Sequence, residues 1–185
     1  MSDQEAIRRL KNGDIGGLES LIARYQVKAV RAAYFVVQDK QTAEDIVQDA
    51  FLRIYERIRY FDEVRPFEPY LMRSVVNMAL NIARQRERFM QSQSSDELNA
   101  LEDLLTYAET VESQVEFTEI KHRILAAIAK LPARERAAVV QRYYLEMSEK
   151  EMAAALDAAP GTVKWLLNTA RARLRVLLGA ERSEK

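Results

Sequence analysis

The chain of 185 residues contains no cysteine, a single histidine, five glycines and four prolines. Without cysteine it can form no disulfide, no iron–sulfur cluster and no Cys/His zinc site, and His122 by itself provides no nucleophile–base pair. The sequence also has no phosphate-cradling Gly-rich loop and no metal cluster, so neither catalysis nor a cofactor is expected. Long apolar runs are also missing. No stretch approaches the roughly 18 apolar residues that cross a bilayer, and the opening "MSDQEAIRRLKNGD" lacks the apolar centre of an export signal. Those features predict a cytoplasmic protein with no membrane insertion. What is present is 48% hydrophobic and 30% charged residues, a balance that favours a largely helical globular protein of one domain or two small ones.

The formal net charge of zero conceals an uneven distribution. Residues 1–91 carry 15 basic and 13 acidic groups, and residues 120–185 carry 13 basic and 7 acidic groups. Between them, residues 92–119 have no Lys or Arg and eight acids: Asp96, Glu97, Glu102, Asp103, Glu109, Glu112, Glu116 and Glu119. This predicts an acidic linker between two units, with the polar "MQSQSSDELNA" opening the boundary and Leu98, Leu101 and Leu105 able to form a short helix within it. A self-repelling tether is the simplest reading of the stretch.

In the first unit apolar residues recur every three or four positions and strand-like alternation is absent, so consecutive helices are expected. Leu18, Leu21, Ile22 and Tyr25 begin one stripe. Asp39 to Thr42 reads as a helix junction, after which Ile46, Val47, Ala50, Phe51, Ile54, Tyr55 and Ile58 form a broad stripe expected to be buried. Pro66 and Pro69 mark the next break. The pattern then resumes from Phe67 to about Arg88, with Leu71, Val75, Met78 and Ile82 pointing inward. On its other side Arg73, Asn77, Asn81, Arg84 and Arg88 share an arc of about 80° without one acid. Such a stripe is either a solvated face or a nucleic-acid contact, because Arg offers forked donors to phosphate and Asn both a donor and an acceptor to bases.

In the last unit a helix with Phe117, Ile120, Ile124 and Ile128 on its apolar face ends at Leu131 and Pro132, and a second covers roughly Ala133 to Leu145. "SEKE" at 148–151 is a capping box that starts a short helix ending at Leu156. "DAAP" makes a turn into a longer helix from about Pro160, giving a helix-turn-helix. The predicted fold class is therefore all-α: two small helical domains, 1–91 and 120–185, joined by the acidic linker 92–119.

Three motifs in order carry a family resemblance: "TAEDIVQDAFLRIYERIRYFD" (42–62), "FEPYLMRSVVNMALNIARQRER" (67–88) and "LPARERAAVVQRYYLEMSEKEMAAALDAAPGTVKWLLNTARARLR" (131–175). Together they resemble the extracytoplasmic-function (group IV) class of bacterial RNA polymerase sigma factors over nearly the whole length. The resemblance implies a subunit that binds core polymerase and directs promoter recognition and initiation for a stress or envelope-type regulon.

By that resemblance Asp45, Gln48, Asp49, Arg53 and Glu56 dock on the clamp helices of the largest polymerase subunit, and the second-largest subunit is a further partner. A metal site at Asp45 and Asp49 is the rival chemistry, but two acids one turn apart with no third ligand rarely hold a metal. Minus-10 DNA is expected on Tyr60, Phe61, Arg65, Tyr70, Arg73, Asn77, Asn81, Arg84 and Arg88, with Asn77 matching the family's base-reading Asn. Phe67 is expected to pack in the core. Tyr70 replaces the usual Trp, and "DEVRP" carries two acids where the family often has Gly and basic residues. Minus-35 DNA is expected on Thr162, Lys164, Trp165, Asn168, Thr169, Arg171 and Arg175. The linker would thread polymerase channels that later hold nucleic acid, which a polyanion can occupy. An anti-sigma factor is a further partner of the family, although no residue identifies one.

The recognition helix departs from the family's "VKSRLHRAR", since this chain reads "VKWLLNTAR". Trp165 falls about 200° from Val163 on the helical wheel, away from the Val163, Leu167, Ala170 and Leu174 side. The indole could touch thymine methyls, anchor a protein, or pack on the first domain, and a protein or interdomain contact is the preferred reading. Trp165 and Leu166 together also admit an alternative function, a degenerate sigma-like module that binds polymerase or an anti-sigma factor without reading the minus-35 element. A stand-alone helix-turn-helix regulator is weaker, because it leaves the first 90 residues without a task.

Overall fold

The computed structural model describes residues 1–90 and 115–180. The expected helix through Leu98, Leu101 and Leu105 lies outside them. All the regular structure among the described residues is helical, in eight α-helices.

Helix α1 (Asp3–Lys11) starts where the Ser2 hydroxyl accepts from the Glu5 N–H at 3.2 Å, and it buries Ala6, Ile7 and Leu10. It crosses α2 (Gly16–Val37) at Gly17, where any Cβ would collide with the Ala6 carbonyl oxygen. Gln38 ends α2 in the left-handed region at φ 59°, its N–H returning to the Tyr34 carbonyl at 2.8 Å. Asp39 then caps α3 (Lys40–Arg57) by accepting from the Thr42 N–H at 2.8 Å, the junction expected at Asp39 to Thr42. A 3₁₀ turn (Ile58–Tyr60) and a loop lead to α4 (Phe67–Met90).

The second half holds α5 (Val115–Ala129), α6 (Ala133–Val139) with a π turn from Val140 to Tyr144, α7 (Glu149–Leu156) and α8 (Pro160–Ala180). Both bonds of the capping box form, Ser148 Oγ accepting from the Glu151 N–H at 3.3 Å and Glu151 Oε2 from the Ser148 N–H at 2.8 Å. Asp157 makes the turn into α8 in the left-handed conformation, at φ 47° and ψ 53°.

Helices α1 to α4 enclose one core, in which Leu21, Ile46, Phe67, Leu71, Val75 and Val76 are fully buried. That core does not stop at the first half: Ala133, Ala137 and Val140 of the second half belong to it. Smaller clusters hold α6, α7 and α8 together, one around Met152, Val163 and Leu167 and one around Leu131, Val139 and Ala170.

Several expected core positions differ. Tyr55 is exposed, because the stripe of α3 is wider than the surface its neighbours cover. Ile120 and Ile124 are exposed on α5, which packs through Ala127 and the expected Ile128, with Leu131 just beyond its end. Met78 and Ile82 are only partly buried at the edge of the core. Phe117 lies outside the residues whose side chains are described.

Candidate nucleic-acid and polymerase interface

Packing of one face of α3 leaves the other in solvent. Asp45, Gln48, Asp49, Arg53 and Glu56 are all exposed there, with Leu52 and Tyr55 among them. Gln41 Nε2 donates to Asp45 Oδ1 at 3.0 Å, and no cluster of metal-ligating residues forms among the described residues. The face is polar with an apolar centre, the composition of a protein-docking patch.

The loop before α4 explains its two acids. Asp62 Oδ1 accepts from the Val64 N–H at 3.1 Å, an Asx turn that shapes the loop, and Glu63 leaves it to meet Lys11 and Arg8 on α1. Outward remain Tyr60, 90% exposed, with Val64 and Arg65. Phe61 differs from expectation. Rather than facing DNA it is buried, its ring 5.9 Å from Phe67 and 5.0 Å from Tyr70, because the turn folds it back under α4. Phe67 is buried as expected, and Tyr70 is half exposed beside it.

On α4, Arg73, Asn81, Arg84 and Arg88 are exposed and Asn77 is half-buried. The middle of this stripe faces the second half. Asn77, Asn81 and Arg84 line a cleft of about 330 Å³ whose opposite wall includes Arg134, Asp157, Ala158 and Thr162. Arg134 and Asp157 were not expected in a site; the signal for Asp157, its place in the helix-turn-helix turn, was visible, but its neighbour across the cleft was not.

Recognition helix α8 exposes Lys164, Trp165, Asn168, Arg171 and Arg175, whereas Thr162 and Thr169 are half-buried. Arg171 is held in place, donating from Nε to Tyr143 Oη at 2.8 Å and from Nη1 to Asn168 Oδ1 at 3.4 Å. Trp165 is 61% exposed and joins none of the buried clusters, so of the protein or interdomain contact preferred from sequence, the interdomain one is not what this ring makes. Leu166 is a second correction: it is 4% exposed among Ala138, Met152, Val163 and Leu167, at 60° from the Val163 axis of the wheel. It is a core residue, which removes half of the motive for a degenerate recognition helix.

The halves are joined by reciprocal bonds. Arg136 of α6 donates from Nε to the Val36 carbonyl at the end of α2, at 2.8 Å, and from Nη1 to the carbonyls of Leu131 at 2.6 Å and Ala129 at 3.1 Å. Glu87 of α4 accepts from the Ala133 N–H at 2.6 Å, capping a helix whose own N-cap, Pro132, has no side-chain donor or acceptor. Burial lowers the Arg136 pKa and the nearby Glu87 carboxylate opposes that. Phe35 and Tyr144 meet edge to face beside this contact, at 5.2 Å. Sequence offered no sign that Arg136, one charge among many, is nearly buried.

Comparison with known proteins shows the family. The family model described as Sigma-70 region 2 matches residues 21–89, and that described as Sigma-70, region 4 matches residues 121–174. The ECF RNA polymerase sigma factor SigW of Bacillus subtilis is 31% identical over 181 residues, spanning 95% of this chain and 96% of its own. The RNA polymerase sigma-H factor of Pseudomonas aeruginosa is 27% identical, over 91% of this chain and 90% of its own. The solved structure of CnrH in complex with the cytosolic domain of CnrY superposes with a TM-score of 0.65 at 25% identity, covering 96% of this chain and 97% of that one. Two separate sigma-70 regions in order, together with a relative 31% identical over 95% of the chain, leave one conclusion: the chain belongs to the extracytoplasmic-function class of the sigma-70 family, the factors that bind RNA polymerase and direct transcription initiation at promoters.

Proposed function

We propose that the outer face of α3 docks on the clamp helices of the largest polymerase subunit, that the loop at 60–65 and the α4 stripe hold melted minus-10 DNA, and that α8 reads the minus-35 element. The factor acts in the cytoplasm without chemistry of its own, by positioning polymerase and capturing bases that have left the stack. The observation that carries this reading is the division of exposure. The α3 face stands open, while Asn77, Asn81 and Arg84 share a cleft with Thr162 of the helix-turn-helix.

That division sets an order of events. Polymerase can engage α3 first, and parting of the halves then frees Asn77 and Thr162, half-buried in the shared cleft, for DNA. Binding energy from the docking face offsets the loss of the contacts around Arg136 and Glu87. A protein of anti-sigma type is the natural antagonist, because it need only cover these surfaces or favour the closed form. The solved complex of CnrH with the cytosolic domain of CnrY shows a similar chain bound by a protein partner.

Transcription by core polymerase and the purified protein on fragmented genomic DNA tests the reading. Discrete RNA start sites that disappear when Asp49 and Arg53 are both replaced by Ala are expected. No start site from any fragment would overturn it. Trp165→Ser should change the ranking of promoters by their minus-35 sequences while leaving polymerase affinity intact.

A further inference from the structure

Helix α1 lies outside the residues matched by the region 2 model, yet it touches the loop that carries the exposed minus-10 candidates. Its C-terminal turn supplies two cations to one carboxylate: Lys11 Nζ stands 3.1 Å from Glu63 Oε1 and Arg8 Nε 3.6 Å from Glu63 Oε2. The hydrogen bond from Lys11 holds the Glu63 carboxyl below the ordinary range, with both cations contributing.

Everything around Glu63 is arranged to transmit that anchor. On one side Asp62 closes the turn through the Val64 N–H, and the Arg65 N–H donates to the Asp62 carbonyl at 3.0 Å. On the other, Phe61 is pinned under α4 against Phe67 and Tyr70. The outward directions of Tyr60, Val64 and Arg65 are therefore set by a buried ring at one end and by α1 in the middle. Helix α1 is itself rigidly seated, because Gly17 lets it approach α2 closely and Tyr25 Oη donates to Asp3 at 2.5 Å.

We propose that α1 is a positioning element for promoter reading, in which Lys11 and Arg8 hold Glu63 and thereby fix where Tyr60, Val64 and Arg65 meet minus-10 DNA. The inference rests on the loop at 60–65 being a minus-10 contact. It assigns Glu63 no contact with DNA: the carboxylate acts through the loop, and the acids of "DEVRP" are used internally rather than repelling phosphate. The salt bridges are partly exposed, so each is weak, and their effect is expected on the choice among promoters more than on total transcription.

Full-length protein with core polymerase, transcribing a promoter library randomised through the minus-10 element, separates the outcomes. Glu63→Gln should flatten the preference at the loop-read position by about threefold with unchanged affinity for core polymerase. The paired exchange Lys11→Glu with Glu63→Lys should restore it, because Arg8 can then neutralise position 11 one turn away. A flattening that the exchange does not restore would overturn the clamp and place Glu63 at the DNA itself. An unchanged profile for Glu63→Gln, when Tyr60→Ala or Val64→Ser shifts it, would overturn the clamp and leave the loop's role standing. If none of these variants moves the profile, the loop does not read the element and the inference falls with that reading.

Discussion

Arg136 and Val36 are a hundred residues apart in sequence, yet the guanidinium Nε of one donates to the backbone carbonyl of the other at 2.8 Å, in a place where Arg136 is only 8% exposed. The bond caps the C-terminal end of α2 with a cation from the opposite half, and Glu87 caps α6 in the other direction. The closed arrangement thus combines a few polar contacts with an apolar seam that includes Ala133, Ala137 and Val140.

Breaking those contacts should open the molecule. With the native chain free of cysteine, Ala23→Cys and Ala154→Cys give unique sites for a fluorophore pair. Glu87→Ala is expected to lengthen the distance between them, and Arg136→Met to do so further. Arg136→Met should also lower stability by about 2–3 kcal/mol, because three carbonyls lose their donor. Unchanged energy transfer in both variants would show that the apolar seam alone holds the halves.

Gly17→Ala should loosen α1. A Cβ at this position meets the backbone of Ala6 rather than a movable side chain, so relief requires the helices to separate. A loss of about 1–3 kcal/mol in urea unfolding is expected. A Cβ at the neighbouring Gly16 meets only side-chain ends, Arg9 Nη2 and Asp14 Oδ1 at 3.1 Å each, and Gly16→Ala should cost less.

The two residues that replace the family's small and basic pair should respond oppositely. Leu166→Arg places a charge in the Met152 and Leu167 cluster and should cost about 3 kcal/mol or more. Trp165→Ser, on the exposed side, should change stability by less than about 0.5 kcal/mol. Thermal unfolding of both variants checks this.

Gln141 is fully buried, and among the described residues neither its Nε2 nor its Oε1 has a partner. Replacing it with Met keeps the volume and removes the desolvated amide. An increase in stability of about 1 kcal/mol is expected. A decrease would mean that the amide has found a bonding partner in solution.

Acid should destabilise the fold through its caps. The carboxyls of Asp14, Asp39, Glu63 and Glu151 are held below their ordinary values, chiefly by hydrogen bonds from Arg9, Thr42, Lys11 and Ser148 respectively. A lowered folded value means that each stabilises above the ordinary value, 3.8 for Asp and 4.5 for Glu, and that the contribution is lost as pH falls through the folded value. Glu135 has the opposite sign: burial raises it, with Arg173 opposing, so protonation relieves a cost. The melting temperature should therefore fall as pH is lowered from 5 to 3, less steeply in Asp39→Ala and more steeply in Glu135→Gln.

The elements were legible because their causes are local. Asp39 and Ser148 cap the helices they precede, Asp157 turns the chain where a left-handed residue is needed, and the spacing of Leu71, Val75 and their neighbours fixes the inward face of α4. Exposed candidate residues on α3 and α8 were legible for the same reason, since a helical wheel separates a face from its opposite. The wheel was less informative at its margins: Leu166 and Tyr55 lie near the edge of a stripe, where the shape of the neighbouring helix decides between burial and exposure.

The sequence by itself determined the helices, their caps, the acid-free stripe of α4 and the order of the two promoter-factor regions, because each depends on residues within a few turns of one another. Tertiary structure alone decided that Phe61 is buried, that Glu63 is held by α1, that Trp165 stays in solvent, and that Asn77 faces Thr162 across one cleft. Those relations join segments far apart along the chain. They follow from how the helices pack against one another, which no periodicity within a single helix encodes.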